Sequence, residues 1–192
     1  MAVSFDAITK AADSLGVEPC AVKAVVEVES AGSGFIADGR VKILFEGHIF
    51  WRQLKERGID PAPIAREHPN VLYPSWTKAH YRGPAGEWAR LEEAKAINRD
   101  AALCSASWGL FQIMGFHYKT CGFESVVDFV DAQAVSEDEQ LQTFCAFMRA
   151  EGLSRYLKAH DWAGFAKRYN GAGYAANRYD TRLAAAYQRC KK

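Results

Sequence analysis

The residue type with the clearest chemistry in this chain is a carboxylate that closes an apolar helical stripe. In Val22-Lys23-Ala24-Val25-Val26-Glu27-Val28-Glu29, a period of 3.6 places Val22, Val25, Val26 and Glu29 on one face and turns Glu27 away. Glu29 is expected to face inward and Glu27 to face water. The small residues Ser30-Ala31-Gly32-Ser33-Gly34 then stop the helix, leaving Glu29 in its last turn. There, apolar neighbours and the negative end of the helix dipole both favour the protonated acid. A glutamic acid that keeps its proton near neutral pH can protonate the leaving oxygen of a glycosidic bond. The same position also suits a helix-end glutamate paired with an arginine or capping a loop, and these residues alone leave both readings open.

A glycosidase that inverts needs a second carboxylate to activate water, roughly 6.5–9.5 Å from the acid, against roughly 5–5.5 Å for retention. Glu46 is the candidate, because it ends a strand that follows Glu29 closely and shares a face with Lys42 and Leu44. A salt bridge to Lys42 or an arginine explains it equally well. Asp38 stands before Gly39, where turn chemistry accounts for it. His48, His68, His80, His117 and His160 show neither HExxH spacing nor a Cys/His cluster, and there is no GxSxG elbow. Neither a metal nor a cofactor is therefore expected. Trp51, Trp76, Tyr81, Trp108 and Tyr118 can stack on sugar faces or pack in the core. Tyr118 is taken as the aromatic substrate contact, and Trp108 as mostly buried on a helix ahead of Gly109.

The elements that must position these groups are mostly helices. Ser4 caps a helix to about Leu15, Gly16 ends it, and Pro19 opens the helix that presents Glu29. Residues 35–46 read as two short strands around the Asp38-Gly39 turn, the one β signal in the chain. A helix over 48–57 leads to a proline-rich irregular connection reaching about Gly86. Helices follow over 87–98, from an Asp100 cap into Ser105–Gly115, from Ser125, from Ser136 and from Asp161. The last, about 175–190, is basic and amphipathic, with Arg178, Arg182, Arg189, Lys191 and Lys192 among Leu183, Ala184, Ala185, Ala186 and Tyr187.

Composition sets outer bounds. The 192 residues, 49% hydrophobic and 12% aromatic, suit one domain with a sizeable core and no separate binding module. A net charge of +1 gives no reason to expect nucleic acid. The amino terminus lacks a basic start followed by an apolar core, so no signal peptide is expected and synthesis is expected in the cytoplasm. Five widely spaced cysteines, Cys20, Cys104, Cys121, Cys145 and Cys190, are expected as buried free thiols.

Three blocks stand in the order found in goose-type lysozymes and lytic transglycosylases: Glu29-Ser30, Gly109-Leu110-Phe111-Gln112-Ile113, and Tyr169-Asn170-Gly171-Ala172-Gly173-Tyr174. With Ile43-Leu44-Phe45-Glu46-Gly47-His48-Ile49-Phe50-Trp51 and Ala106–Gly115, nearly the whole chain resembles the N-acetylmuramidase family of bacteriophage endolysins. The resemblance implies a predominantly helical, lysozyme-like α+β fold with a small hairpin or sheet beside the catalytic helix. It implies that Glu29 is the catalytic acid, that Gln112 hydrogen-bonds a sugar, and that Gly109 lets the chain approach it. It further implies that Tyr169 flanks the acid and Asn170 orients the substrate; Ser30 holds Glu29 or its loop, or simply caps. The implied activity is cleavage of the β-1,4 bond between N-acetylmuramic acid and N-acetylglucosamine by a monomer acting on peptidoglycan glycan strands. Release to the periplasm through a separate pore protein goes with that reading. The basic last helix is then either a surface helix or a contact with anionic outer-membrane lipid. A lytic transglycosylase and a non-enzymatic wall-binding module are the alternatives.

Overall fold

Local capping chemistry sets most helix starts. Ser4 accepts the Ala7 amide and opens α1 (Phe5–Leu15), whose inner face buries Ile8, Ala11, Ala12 and Leu15. Pro19 is the first residue of α2 (Pro19–Glu29), which buries Ala21, Val22, Ala24, Val25 and Val28. The computed structural model describes residues 3–29 and 32–192, with only the backbone of Ala172. Beyond α2 come β1 (Ile43–Phe45), α3 (Gly47–Glu56) and α4 (Pro61–Glu67). Then follow α5 (Gly83–Ile97), α6 (Arg99–Cys104), β2 (Ala106–Trp108) and β3 (Ile113–Met114). The remainder is α7 (Val126–Val135), α8 (Glu137–Ala150), α9 (Ser154–Lys158), α10 (Trp162–Asn170) and α11 (Tyr179–Lys191). Ser125, Ser136 and Asp161 cap α7, α8 and α10, as their sequence positions suggest.

The sheet departs from expectation. Phe35 and Val41 form a single antiparallel bridge, and β1 instead pairs with β2, joining Ile43 to Trp108 and Phe45 to Ala106. β2 pairs in turn with β3, so the order is β1-β2-β3. The stretch expected to be helical up to Gly109 is thus a tight hairpin. Gly109 (φ +72°) and Gln112 (φ +50°) both take left-handed backbone in its turn, which no helix can accommodate. Trp108 is buried as expected, but from a strand, with its indole N–H donating to the Leu103 carbonyl. Asn98, not Asp100, caps α6 by accepting the Ala101 amide.

The proline-rich connection is more ordered than its composition suggests. Asp60 caps α4 with Pro61 at its first position, and α5 begins at Gly83 rather than Glu87. Within α5, Glu87 and Arg90 form a buried pair at 2.7 Å that ties the region together. Glu87 accepts the Phe45 and Arg82 amides, while Arg90 donates to the Phe45 and Asn70 carbonyls and to the Tyr73 hydroxyl. Two buried charges with every polar atom engaged are stable in place, whereas removing either partner strands the other.

The cysteines also depart from expectation. Cys104, Cys121 and Cys145 are buried free thiols, but Cys20 and Cys190 are bonded across a sequence separation of 170. Their pairing cannot be read from spacing, because it follows from α11 packing lengthwise on α2. The result clamps α2 at both ends: Cys190 holds its first turn, and Arg182 donates to the Val28 carbonyl at its last. Glu27, turned outward as its phase requires, pairs with Arg189.

Candidate active site

Glu29 is the final residue of α2 and opens into a cavity of about 490 Å³. Gln112, from the β2–β3 turn, and Tyr169 and Asn170, from the end of α10, line the same cavity. Three separated stretches therefore meet at one carboxyl group. Asn170 Nδ2 donates to Glu29 Oε1 at 3.1 Å. Burial pushes the Glu29 carboxyl above its ordinary range, against a weaker downward pull from the Asn170 hydrogen bond and the Arg182 charge. Among the described residues only Oε1 of Glu29 is engaged, which leaves Oε2 to hold a proton toward the cavity.

Tyr169 stands beside this group as a neutral phenol. Burial and, next, the neighbouring Glu29 charge push its hydroxyl well above the usual phenol range. The hydroxyl donates to the Phe111 carbonyl at 3.1 Å, and the ring packs on Phe144 and Phe165. The tyrosine thus ties α10 to the β2–β3 turn and forms an apolar wall next to the acid.

Gln112 and Gly109 do different work from what the resemblance implies. Gln112 Nε2 donates to the Gly109 carbonyl at 2.7 Å and to the Lys42 carbonyl at 3.3 Å, and its Oε1 accepts from the Ser107 hydroxyl at 3.0 Å. Both amide N–H groups are consumed in closing the turn, so Gln112 shapes the cavity wall and has at most one acceptor site left for a sugar. Gly109 faces the interior. A Cβ there would lie 2.7 Å from Gln133 Oε1 and 2.8 Å from Gln140 Cδ and Oε1, so close packing and backbone shape, rather than approach to a ligand, require glycine.

Two other residues lie elsewhere. Glu46 does not line this cavity; both its oxygens accept the Tyr81 hydroxyl, at 2.9 and 2.8 Å, and its Oε2 lies 3.3 Å from His48 Nδ1. Tyr118, at the end of a 3₁₀ turn over Gly115–His117, does not line the cavity either. Ser30 lies outside the described residues. Trp76, by contrast, is 58% exposed, on the segment that leads to Tyr81.

The cavity also recruits residues that carried no signal in the sequence. His117, Phe147, Glu151 and Arg168 form its other side. Burial pushes the His117 imidazole down, with Glu151 pulling the other way. Arg168 Nη2 lies 3.8 Å from Glu151 Oε2. Arg168, next to Tyr169, and His117, two residues beyond Gly115, stood near recognisable blocks. Among the described residues, no three His, Cys, Asp or Glu side chains gather closely enough to hold a metal ion.

A mostly helical chain with a small three-stranded antiparallel sheet defines the lysozyme-like class. The chain belongs to the N-acetylmuramidase family, whose pattern matches residues 18–191. It is similar to the crystal structure of the Burkholderia AP3 phage endolysin, with 44% identity and a TM-score of 0.92 over 97% of this chain and 71% of that one. No curated protein matches the sequence.

Proposed function

We propose that the protein hydrolyses the β-1,4 bond between N-acetylmuramic acid and N-acetylglucosamine in peptidoglycan, with Glu29 as general acid. The observation that carries this reading is the half-buried Glu29 carboxyl, raised above its ordinary range, with one oxygen held by Asn170 inside a cavity able to take sugar rings. In the reaction, Glu29 hands its proton to the glycosidic oxygen as the bond to the anomeric carbon breaks, the oxygen of a water molecule bonds to that carbon, and the proton this water releases restores the acid. Asn170 then stabilises the carboxylate left behind, because its hydrogen bond favours the ionised form. Tyr169 holds the sugar side of the cavity apolar, which keeps the acid protonated before the next turnover. The endolysin relative supports action on the wall from within an infected cell, and a monomer that reaches it through a separate pore protein fits this role.

One observation favours a second reading, transglycosylation without water: Glu46, the candidate base, lies outside the Glu29 cavity. Digestion of purified peptidoglycan with mass analysis of the products tests both. Hydrolysis gives reducing ends, and transglycosylation gives 1,6-anhydro ends lighter by one water. Intact sacculi after prolonged incubation would reject both in favour of a binding module.

A further inference from the structure

The cavity that Glu29 lines also carries a permanent cation that the proposed cleavage does not use. Among the described residues lining the cavity Arg168 is the one arginine or lysine, and its side chain is 61% exposed. Its partner, Glu151, lies at 3.8 Å, close enough to hold the guanidinium electrostatically but too far to occupy an N–H donor. An arginine braced in this way presents a planar fork that matches a carboxylate at two points. Among the described lining residues there is no second arginine or lysine, and burial keeps His117 toward its neutral form. Arg182, whose charge also reaches Glu29, donates to the Val28 carbonyl and is not part of the lining. Within the lining, Arg168 is therefore the group placed to receive an anion.

We propose that Arg168, positioned by Glu151, is the specificity determinant that reads the carboxylate-bearing substituent of a muramyl residue and so separates peptidoglycan from unsubstituted N-acetylglucosamine polymers. The inference rests on the reading of this cavity as the glycan site. Of the two sugars in the strand, only the muramyl residue carries a lactyl arm, which ends in a free carboxylate where the stem peptide is absent and otherwise continues into a peptide with carboxylates of its own. A cation fixed in the same cavity as the acid sets which sugar occupies which side of the scissile bond. Cleavage on the intended side of that residue then follows from charge placement rather than from the shape of the ring.

Binding of peptide-stripped glycan fragments to the Glu29→Gln protein, measured by calorimetry, tests the idea without depending on turnover. Fragments with free carboxylates are compared with the same fragments after reduction of those groups to alcohols. The expected result is about tenfold tighter binding of the carboxylate form, the size of one exposed charge-assisted contact. Adding Arg168→Gln removes the difference, whereas Arg168→Lys retains part of it, and the preference shrinks as salt rises. Equal binding of the two forms by the parent, no binding of either, or an unchanged ratio in the Arg168→Gln variant each overturns the proposal. A preserved ratio in a protein whose wild type releases no products would instead reject the hydrolase reading and leave the carboxylate site standing.

Discussion

Replacement of Gly109 by alanine separates two reasons for a glycine. Its φ of +72° costs an L-residue about 1–2 kcal/mol, wherever in the fold it occurs. The alanine Cβ would also lie 2.7 Å from Gln133 Oε1 and 2.8 Å from Gln140 Oε1, contacts that must open. Gln140 cannot move freely, since its Oε1 accepts the Leu110 amide at 2.7 Å and its Nε2 donates to the Gln133 carbonyl at 2.8 Å. Losing one such buried hydrogen bond adds about 1–3 kcal/mol. The sum is about 2–5 kcal/mol, or a fall in Tm of roughly 4–20 °C for a chain of this size. Gly58 provides the matched control, because its φ is +74° and a Cβ there meets nothing within 4 Å. Gly58→Ala should show the backbone cost alone. Thermal and urea unfolding of the two variants decide the matter: equal losses of stability would refute the packing argument for Gly109. If Gln112 closes the turn as described, Gly109→Ala also lowers turnover, since that turn forms one wall of the Glu29 cavity.

Further outcomes follow from the site and its supports. Glu29→Gln abolishes release of soluble muropeptides while raising Tm at neutral pH. The sign follows from burial: a carboxyl raised in the folded state contributes most below its unfolded value of about 4.3 and loses that contribution as pH rises through the folded value. The Tm gap between variant and wild type should therefore close in acid. Asn170→Ala removes a hydrogen bond that favours the ionised acid, so the alkaline limb of the pH–rate profile moves upward as overall rate falls. Reducing Cys20–Cys190 releases a loop spanning 170 residues, which in a chain-entropy account costs up to about 5 kcal/mol, and lowers Tm without changing the pH profile. Glu87→Ala strands Arg90 in the interior and costs about 3–5 kcal/mol, measured by urea unfolding.

The parts of the fold legible from sequence are those set by short-range chemistry. Ser4, Ser125, Ser136 and Asp161 each accept an amide three residues further along, so the order of residues suffices to place them. The Glu29 stripe was legible for the same reason, although Val28 is more deeply buried than Val26. β2 and β3 were not, because strands of three and two residues have almost no periodicity, and β2, on which β3 pairs, is itself held by β1 more than sixty positions earlier. Gln112 hides a further signal: a glutamine in left-handed backbone is rare, and nothing local announces it. The resemblance brought the Glu29, Gln112 and Asn170 blocks together on paper, but the Arg168 side of the cavity depends on how α8 and α10 lie against one another. Glu46 was attractive by strand position alone, and the Tyr81 hydroxyl that engages it comes from the proline-rich segment, thirty-five residues away.

The clamp on α2 carries an implication for how the acid is kept in place. The helix that ends in Glu29 is held at its first turn by a residue 170 positions away in sequence and at its last by Arg182, so both braces are long-range. A cut anywhere between α2 and α11 therefore reaches the acid only through the contact of the two pieces. Glu29 keeps its place in a nicked protein as long as α11 stays seated on α2, and the disulfide makes that seating covalent.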